Sequence, residues 1–181
     1  MAVVINGTSG ITGNTGTLIS ASTIGVGGAT PSASGAGITF PATQSASTDA
    51  NTLDDYEEGT FSPSVFGLST AGTTTFTIQE GKYTKVGNVV TITINVGWSN
   101  ATGTGTLAIG ALPFTVSAYS ALSIYNNGLT FNASSQMSSN TEVGTTYLSM
   151  NQFTTAGVVT GVPVDTSVSR LMISGSYFTA T

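Results

Sequence analysis

The stretch Asn88-Val89-Val90-Thr91-Ile92-Thr93-Ile94-Asn95-Val96-Gly97-Trp98 alternates apolar and polar residues with period two. In an extended chain successive side chains point to opposite faces. Val90, Ile92, Ile94, Val96 and Trp98 therefore share one face, and Thr91, Thr93 and Asn95 share the other. A strand half-buried in an antiparallel sheet accommodates such a pattern, and a helix does not. Gly87-Asn88 supplies a tight-turn signal just after Lys82-Tyr83-Thr84-Lys85-Val86, so residues 81 to 98 are expected to form a β-hairpin. Trp98 continues the inward face and is expected in the core.

The same pattern recurs at Thr106 to Ile109, Ala121 to Tyr125, Gly128 to Asn132, Thr145 to Met150, Gly157 to Thr160 and Arg170 to Phe178. About eight to ten short strands separated by turn signals, with no helical period, predict an all-β head of antiparallel β-sandwich, jelly-roll-like type. The last strand ties the C-terminal residues into the sheet.

Residues 1 to 48 are different. After the opening Met1-Ala2-Val3-Val4-Ile5, Gly, Ser, Thr and Ala dominate, with scattered apolar residues Ile11, Leu18, Ile19, Ile24, Val26, Ile38 and Phe40. One copy of this segment cannot bury enough apolar area to offset roughly 1 to 2 kcal/mol of backbone ordering per residue. Three copies around a common axis could gather Ile11, Leu18, Ile24 and Ile38, with glycines allowing close backbone approach. The echo of Ser9-Gly10-Ile11-Thr12 in Ala36-Gly37-Ile38-Thr39 is a weak repeat. The expected organisation is an extended trimeric shaft at 1–48, an acidic junction at 49–59 and a head at 60–181.

Charge narrows the function. Three basic residues, Lys82, Lys85 and Arg170, stand against eight acidic ones, so no patch exists to neutralise a run of phosphates, and nucleic acid is not an expected partner. The chain has neither histidine nor cysteine, which removes the usual general base, thiol chemistry and the common zinc and haem ligands. Charged residues make up only 6% of the chain, so strand edges are poorly guarded by charge and are expected to be paired or covered in an oligomer. No stretch reaches the roughly 18 consecutive apolar residues of a membrane helix. The Met1 end lacks a basic n-region and an apolar core, so neither a signal peptide nor membrane insertion is expected.

Four of the eight acidic residues, Asp54, Asp55, Glu57 and Glu58, fall within five positions in Leu53-Asp54-Asp55-Tyr56-Glu57-Glu58-Gly59-Thr60-Phe61-Ser62-Pro63. An apolar Gly37-Ile38-Thr39-Phe40-Pro41 and a Ser/Ala/Asp/Asn stretch precede them. This succession resembles the shaft-to-head junction of bacteriophage fiber proteins. Gly81-Lys82-Tyr83-Thr84-Lys85-Val86-Gly87-Asn88 and the closing Ile173-Ser174-Gly175-Ser176-Tyr177-Phe178 are similar to segments of the same fiber heads. The resemblance covers residues 37 to 98 and 170 to 178. It implies a homotrimeric structural fiber on the virion exterior, tail fiber being the leading form, attached to other virion proteins by its N-terminal segment.

The acidic cluster admits two chemical readings. Calcium needs six to eight oxygens, but the spacing lacks the glycine and terminal glutamate of an EF-hand loop in register, so no metal is expected there. Glycoside hydrolysis needs an acid and a base facing each other across a sugar cleft. Adjacent carboxylates do not make one, and Glu80, Glu142 and Asp165 are isolated, so no enzyme, catalytic residue or cofactor is expected. The remaining reading is a solvated collar that bonds backbone amides and orients head on shaft.

Sugar rings bind by stacking on Tyr or Trp while amides and hydroxyls bond their edges. Tyr125, followed by Asn126-Asn127-Gly128 at a loop tip, and Tyr147, opposite the inward Leu148 and Met150, are the candidate receptor contacts. The sequons at Asn100 and Asn132 are chance matches in a chain this rich in Asn, Ser and Thr, and the Gly-rich runs lack the strand-to-helix context of phosphate loops. The expected function is host-surface glycan attachment through the head. A head fiber or capsid decoration protein, and a stand-alone carbohydrate-binding module, are the alternatives.

Overall fold

A computed structural model describes residues 23–49, 51–131, 136–167 and 169–180. The chain divides into two units, Met1–Thr43 and Gln44–Thr181. In the first, β1 (Thr23–Gly25) and β2 (Gly37–Thr39) pair in parallel, with Ile24 opposite Ile38. The Thr23 hydroxyl donates to the Ser32 carbonyl at 2.6 Å, and the Val26 amide donates to the Thr39 carbonyl at 3.0 Å. Ile24 and Ile38 thus meet within one chain and remain exposed. Ile11, Leu18 and the repeat at Ser9–Thr12 lie outside the described residues.

The second unit is all-β. Its strands are β3 (Tyr56–Phe61), β4 (Ser64–Gly67), β5 (Thr75–Val86), β6 (Val89–Ser99), β7 (Leu107–Gly110), β8 (Val116–Ala118) and β9 (Ala121–Asn127), then β10 (Gln136–Thr141), β11 (Leu148–Phe153), β12 (Val159–Gly161) and β13 (Ser169–Thr179). They form one sheet in the order β3-β5-β6-β13-β9-β10-β11-β7-β4, with β8 on β13 and β12 on β11. Every pair in it is antiparallel.

The sheet curls on itself at β9. Ser123–Asn127 pair with β13, whereas Ala121 and Leu122 pair with β10. Its two edge strands, β3 and β4, are joined by Ser62-Pro63 alone. The inner faces of both halves share one core: Val90, Ile92, Ile94, Val96 and Trp98 from β6 and Leu171, Ile173 and Tyr177 from β13, with Leu107, Ile109, Leu148 and Met150 from the other half. The expected alternation in β6, the 81–98 hairpin and the core position of Trp98 are all present. Gly87 makes the hairpin turn at φ 56°, a left-handed conformation that glycine adopts at least cost. A large curled antiparallel sheet is in keeping with the jelly-roll-like head the sequence predicts.

Three segments depart from expectation. Gly128–Phe131 is no strand, because the Asn126 side chain bonds both the amide and the carbonyl of Leu129, and the Thr130 amide donates to Asp165 at 2.8 Å. The strand expected from Thr145 begins at Leu148, since Thr145 closes a turn on the Glu142 carbonyl. The polar β10 gives no apolar alternation, yet Ser139 and Thr141 point inward. Their hydroxyls are satisfied by the carbonyls of Leu122 and Ala118.

Candidate binding face

On the solvent side of β3-β5-β6-β13-β9 the registers arrange side chains in rows across the strands. Directly opposed residues share a face. At the hairpin end the row is apolar: Tyr56, Val86, Val89 and Phe178. Glu58, Thr84, Thr91 and Ser176 come next, then Thr60, Lys82, Thr93, Ser174 and Ser123, then Glu80, Asn95, Met172 and Tyr125. Arg170 and Asn127 lie beyond.

Along these last rows a shallow open groove of about 300 Å³ lies over β13, lined by Thr93, Asn95, Ser123, Tyr125, Met172 and Ser174 together with β-strand backbone. Tyr125 is 57% exposed and stands beside Met172. Asn95 is held on both sides: its amide donates to Glu80 at 2.9 Å, and its oxygen accepts from Arg170 Nε at 2.8 Å. The groove thus has an aromatic platform, a fixed amide and three hydroxyls. That set can stack a ring and bond its edges without charge.

The four receptor candidates separate. Tyr125 and Asn127 share the outer face of β9. Asn126 points the other way and is spent on the Leu129 turn. Tyr147 precedes β11 in the other half of the sheet, half-buried, with its ring edge-on to Phe66 at 5.8 Å. Asn95, Ser123, Met172 and Ser174 are groove residues that the sequence reading missed. Strand parity marks Asn95 as outward, but only the β6–β13–β9 register brings it beside Tyr125.

The acidic cluster is divided among separate partners, and among the described residues no three carboxylates converge. Asp54 accepts from the Ser47 amide at 2.7 Å and from Gln44 at 3.4 Å; the Ser47 bond holds its pKa below the usual carboxylate value. Glu58 accepts from Tyr56 at 2.9 Å, which raises that phenol's pKa. Glu57 accepts from Tyr83, whose pKa is pushed up to about 12, first by that bond and then by burial. Asp55 departs from the solvated collar: it is only 5% exposed and forms an ion pair with Lys85, itself 3% exposed. Glu57 and Glu58 belong to β3, where Gly59 sits opposite Tyr83 and Phe61 opposite Gly81.

No protein-family model matches the chain, and no curated protein sequence does. Among solved structures, the fold is similar to part of the crystal structure of the Dettilon tailspike protein, with a TM-score of 0.54 and 16% identity. The match covers 68% of this chain and 24% of the tailspike, so the shared feature is the fold of one portion of a much longer protein.

Proposed function

We propose that this protein is a non-enzymatic fiber of a phage virion exterior whose head attaches to a neutral host-surface glycan through the outer face around Tyr125. The observation that carries this reading is the groove itself: an exposed tyrosine beside Met172, ringed by Asn95, Ser123, Ser174 and Thr93, with no carboxylate in its lining. A hydroxyl and amide lining suits an uncharged sugar. The fold shared with part of a tailspike supports placement on a virion, and the junction motif supports a tail fiber in particular.

Assembly as a homotrimer, with the N-terminal segment docking on other virion proteins, completes the proposal. Support for it comes from the apolar row Tyr56, Val86, Val89 and Phe178, which a second copy would cover, and from the scattered apolar residues of the first 48 positions. Three weak sites on one head then act by avidity. The test is a glycan array with the full-length chain, with its solution mass measured by light scattering. Binding to neutral oligosaccharides that is lost in Tyr125→Ala, with thermal stability retained, is the expected result. Binding that survives Tyr125→Ala unchanged refutes this face as the site.

A further inference from the structure

We propose that Lys85 and Asp55 become joined by an intramolecular side-chain amide bond, formed by the protein itself with Glu57 as proton carrier. This inference is independent of the attachment role above. Asp55 precedes β3 immediately, and Lys85 lies on β5 directly opposite Glu57. Alternation puts Asp55 and Glu57 on the same side of the chain, so one lysine is flanked by two carboxylates as cross-strand neighbours.

The site is built around that lysine. Its ammonium is in direct contact with the Asp55 carboxylate, and both side chains are buried. The Phe114 ring lies 5.4 Å from Lys85 Nζ and packs edge-on against Tyr83, whose hydroxyl donates to Glu57. Gln44 Oε1 accepts from Nζ at 3.3 Å. The Asp55 carbonyl receives the Gly87 amide at 3.0 Å, which pins this segment to the β5–β6 hairpin. Nucleophile and electrophile are therefore in side-chain contact, while the exposed Glu57, bonded to Tyr83, is placed beside them by the strand register.

The chemistry balances without any co-reactant. Passing a proton from the ammonium to the carboxylate turns the ion pair into an amine and an acid, and burial penalises the neutral pair less than the charged one. The amine lone pair attacks Asp55 Cγ. Glu57 takes a proton from the nitrogen and delivers it to the departing hydroxyl. A C–N bond forms, a C–O bond breaks, water leaves and Glu57 is regenerated. Fixed proximity of the reacting groups supplies effective molarities of about 10⁵ to 10⁸ M, which compensates for a weak electrophile.

The deciding experiment is the intact mass of the denatured full-length chain, allowing for loss of Met1, followed by tryptic digestion. Trypsin can cut only after Lys82, Lys85 and Arg170. The expected mass is one water below that of the sequence, with no cleavage after Lys85 and with the peptide ending at Lys82 still attached to the one containing Lys85. Lys85→Arg and Glu57→Gln should both return to full mass, and Glu57→Gln should keep its β-sheet circular dichroism. A wild-type chain at full sequence mass overturns the bond, whether or not the variants fold. Loss of water that persists in Glu57→Gln overturns the role given to Glu57.

Discussion

Gly81→Ala tests the cross-strand packing that gives the junction motif its form. A Cβ at residue 81 would lie 2.7 Å from Cε1 and Cζ of Phe61 and 2.8 Å from its Cδ1. Phe61 packs against the core from the neighbouring strand, directly opposite Gly81. Without that ring, the substitution would stabilise a strand by about 0.5 to 1 kcal/mol, because glycine loses more backbone freedom on folding than alanine. With it, the ring must shift out of a packed position, at about 1 to 3 kcal/mol. The two accounts differ in sign. Net of the backbone gain, the clash leaves a loss of up to about 2.5 kcal/mol, and for a unit the length of Gln44–Thr181 each kcal/mol moves Tm by about 3 to 4 °C, so a fall of up to about 10 °C is expected by calorimetry. Phe61→Ala should relieve the clash, and the double variant should be more stable than the two single changes added together. A raised Tm in Gly81→Ala, or strict additivity in the double variant, refutes the reasoning.

Three further outcomes follow from buried polar groups. Tyr177 is fully buried, donates to the Phe114 carbonyl at 3.1 Å and accepts from the Phe114 amide at 3.2 Å; burial raises its pKa from 10.0 to about 12. The neutral phenol is the folded form, so its contribution of roughly 2 to 3 kcal/mol is complete below pH 10.0 and lost as pH rises to about 12. Urea melts across that range should show the loss, and Tyr177→Phe should abolish it. Burial of Asp165 opposes its ionisation, but the amides of Ser167 at 2.7 Å and Thr130 at 2.8 Å outweigh burial and lower its pKa below 3.8. Its stabilisation is complete above the unfolded value and lost as pH falls through the lowered one, so Asp165→Asn should flatten the acid limb of the stability profile. Thr141→Val removes the acceptor of the Ser120 amide at 2.7 Å and leaves a part-buried donor unpaired, which should cost about 1 to 3 kcal/mol in denaturant melts.

What the sequence discloses depends on how much of the signal is local. The β6 strand was legible because five inward residues alternate without interruption, and the hairpin before it because Gly87-Asn88 marks the turn. The β10 strand was not, because its inward positions are Ser139 and Thr141, whose hydroxyls need particular carbonyls of other segments. Parity alone could have separated Asn126 from Tyr125 and Asn127, since neighbours on one strand face opposite ways. The burial of Asp55 has no local signature. It depends on Lys85 lying across the strand pair, thirty positions away in sequence.

The outer face has two chemically distinct ends. Along β6, Val89 and Asn95 are six residues apart, about 20 Å at the rise of a strand. One end of the face therefore presents Tyr56, Val86, Val89 and Phe178, while the other presents Asn95, Met172 and Tyr125. In the proposed reading the apolar end serves assembly and the hydroxyl-lined end serves the glycan, and distance along the strands keeps the two apart. Pairing between copies at the apolar end would leave Tyr125 and its ring of amide and hydroxyl groups open to a sugar. A substitution such as Phe178→Ser should then weaken assembly while leaving the affinity of a single head for its glycan unchanged, an outcome that light scattering and monovalent binding can separate.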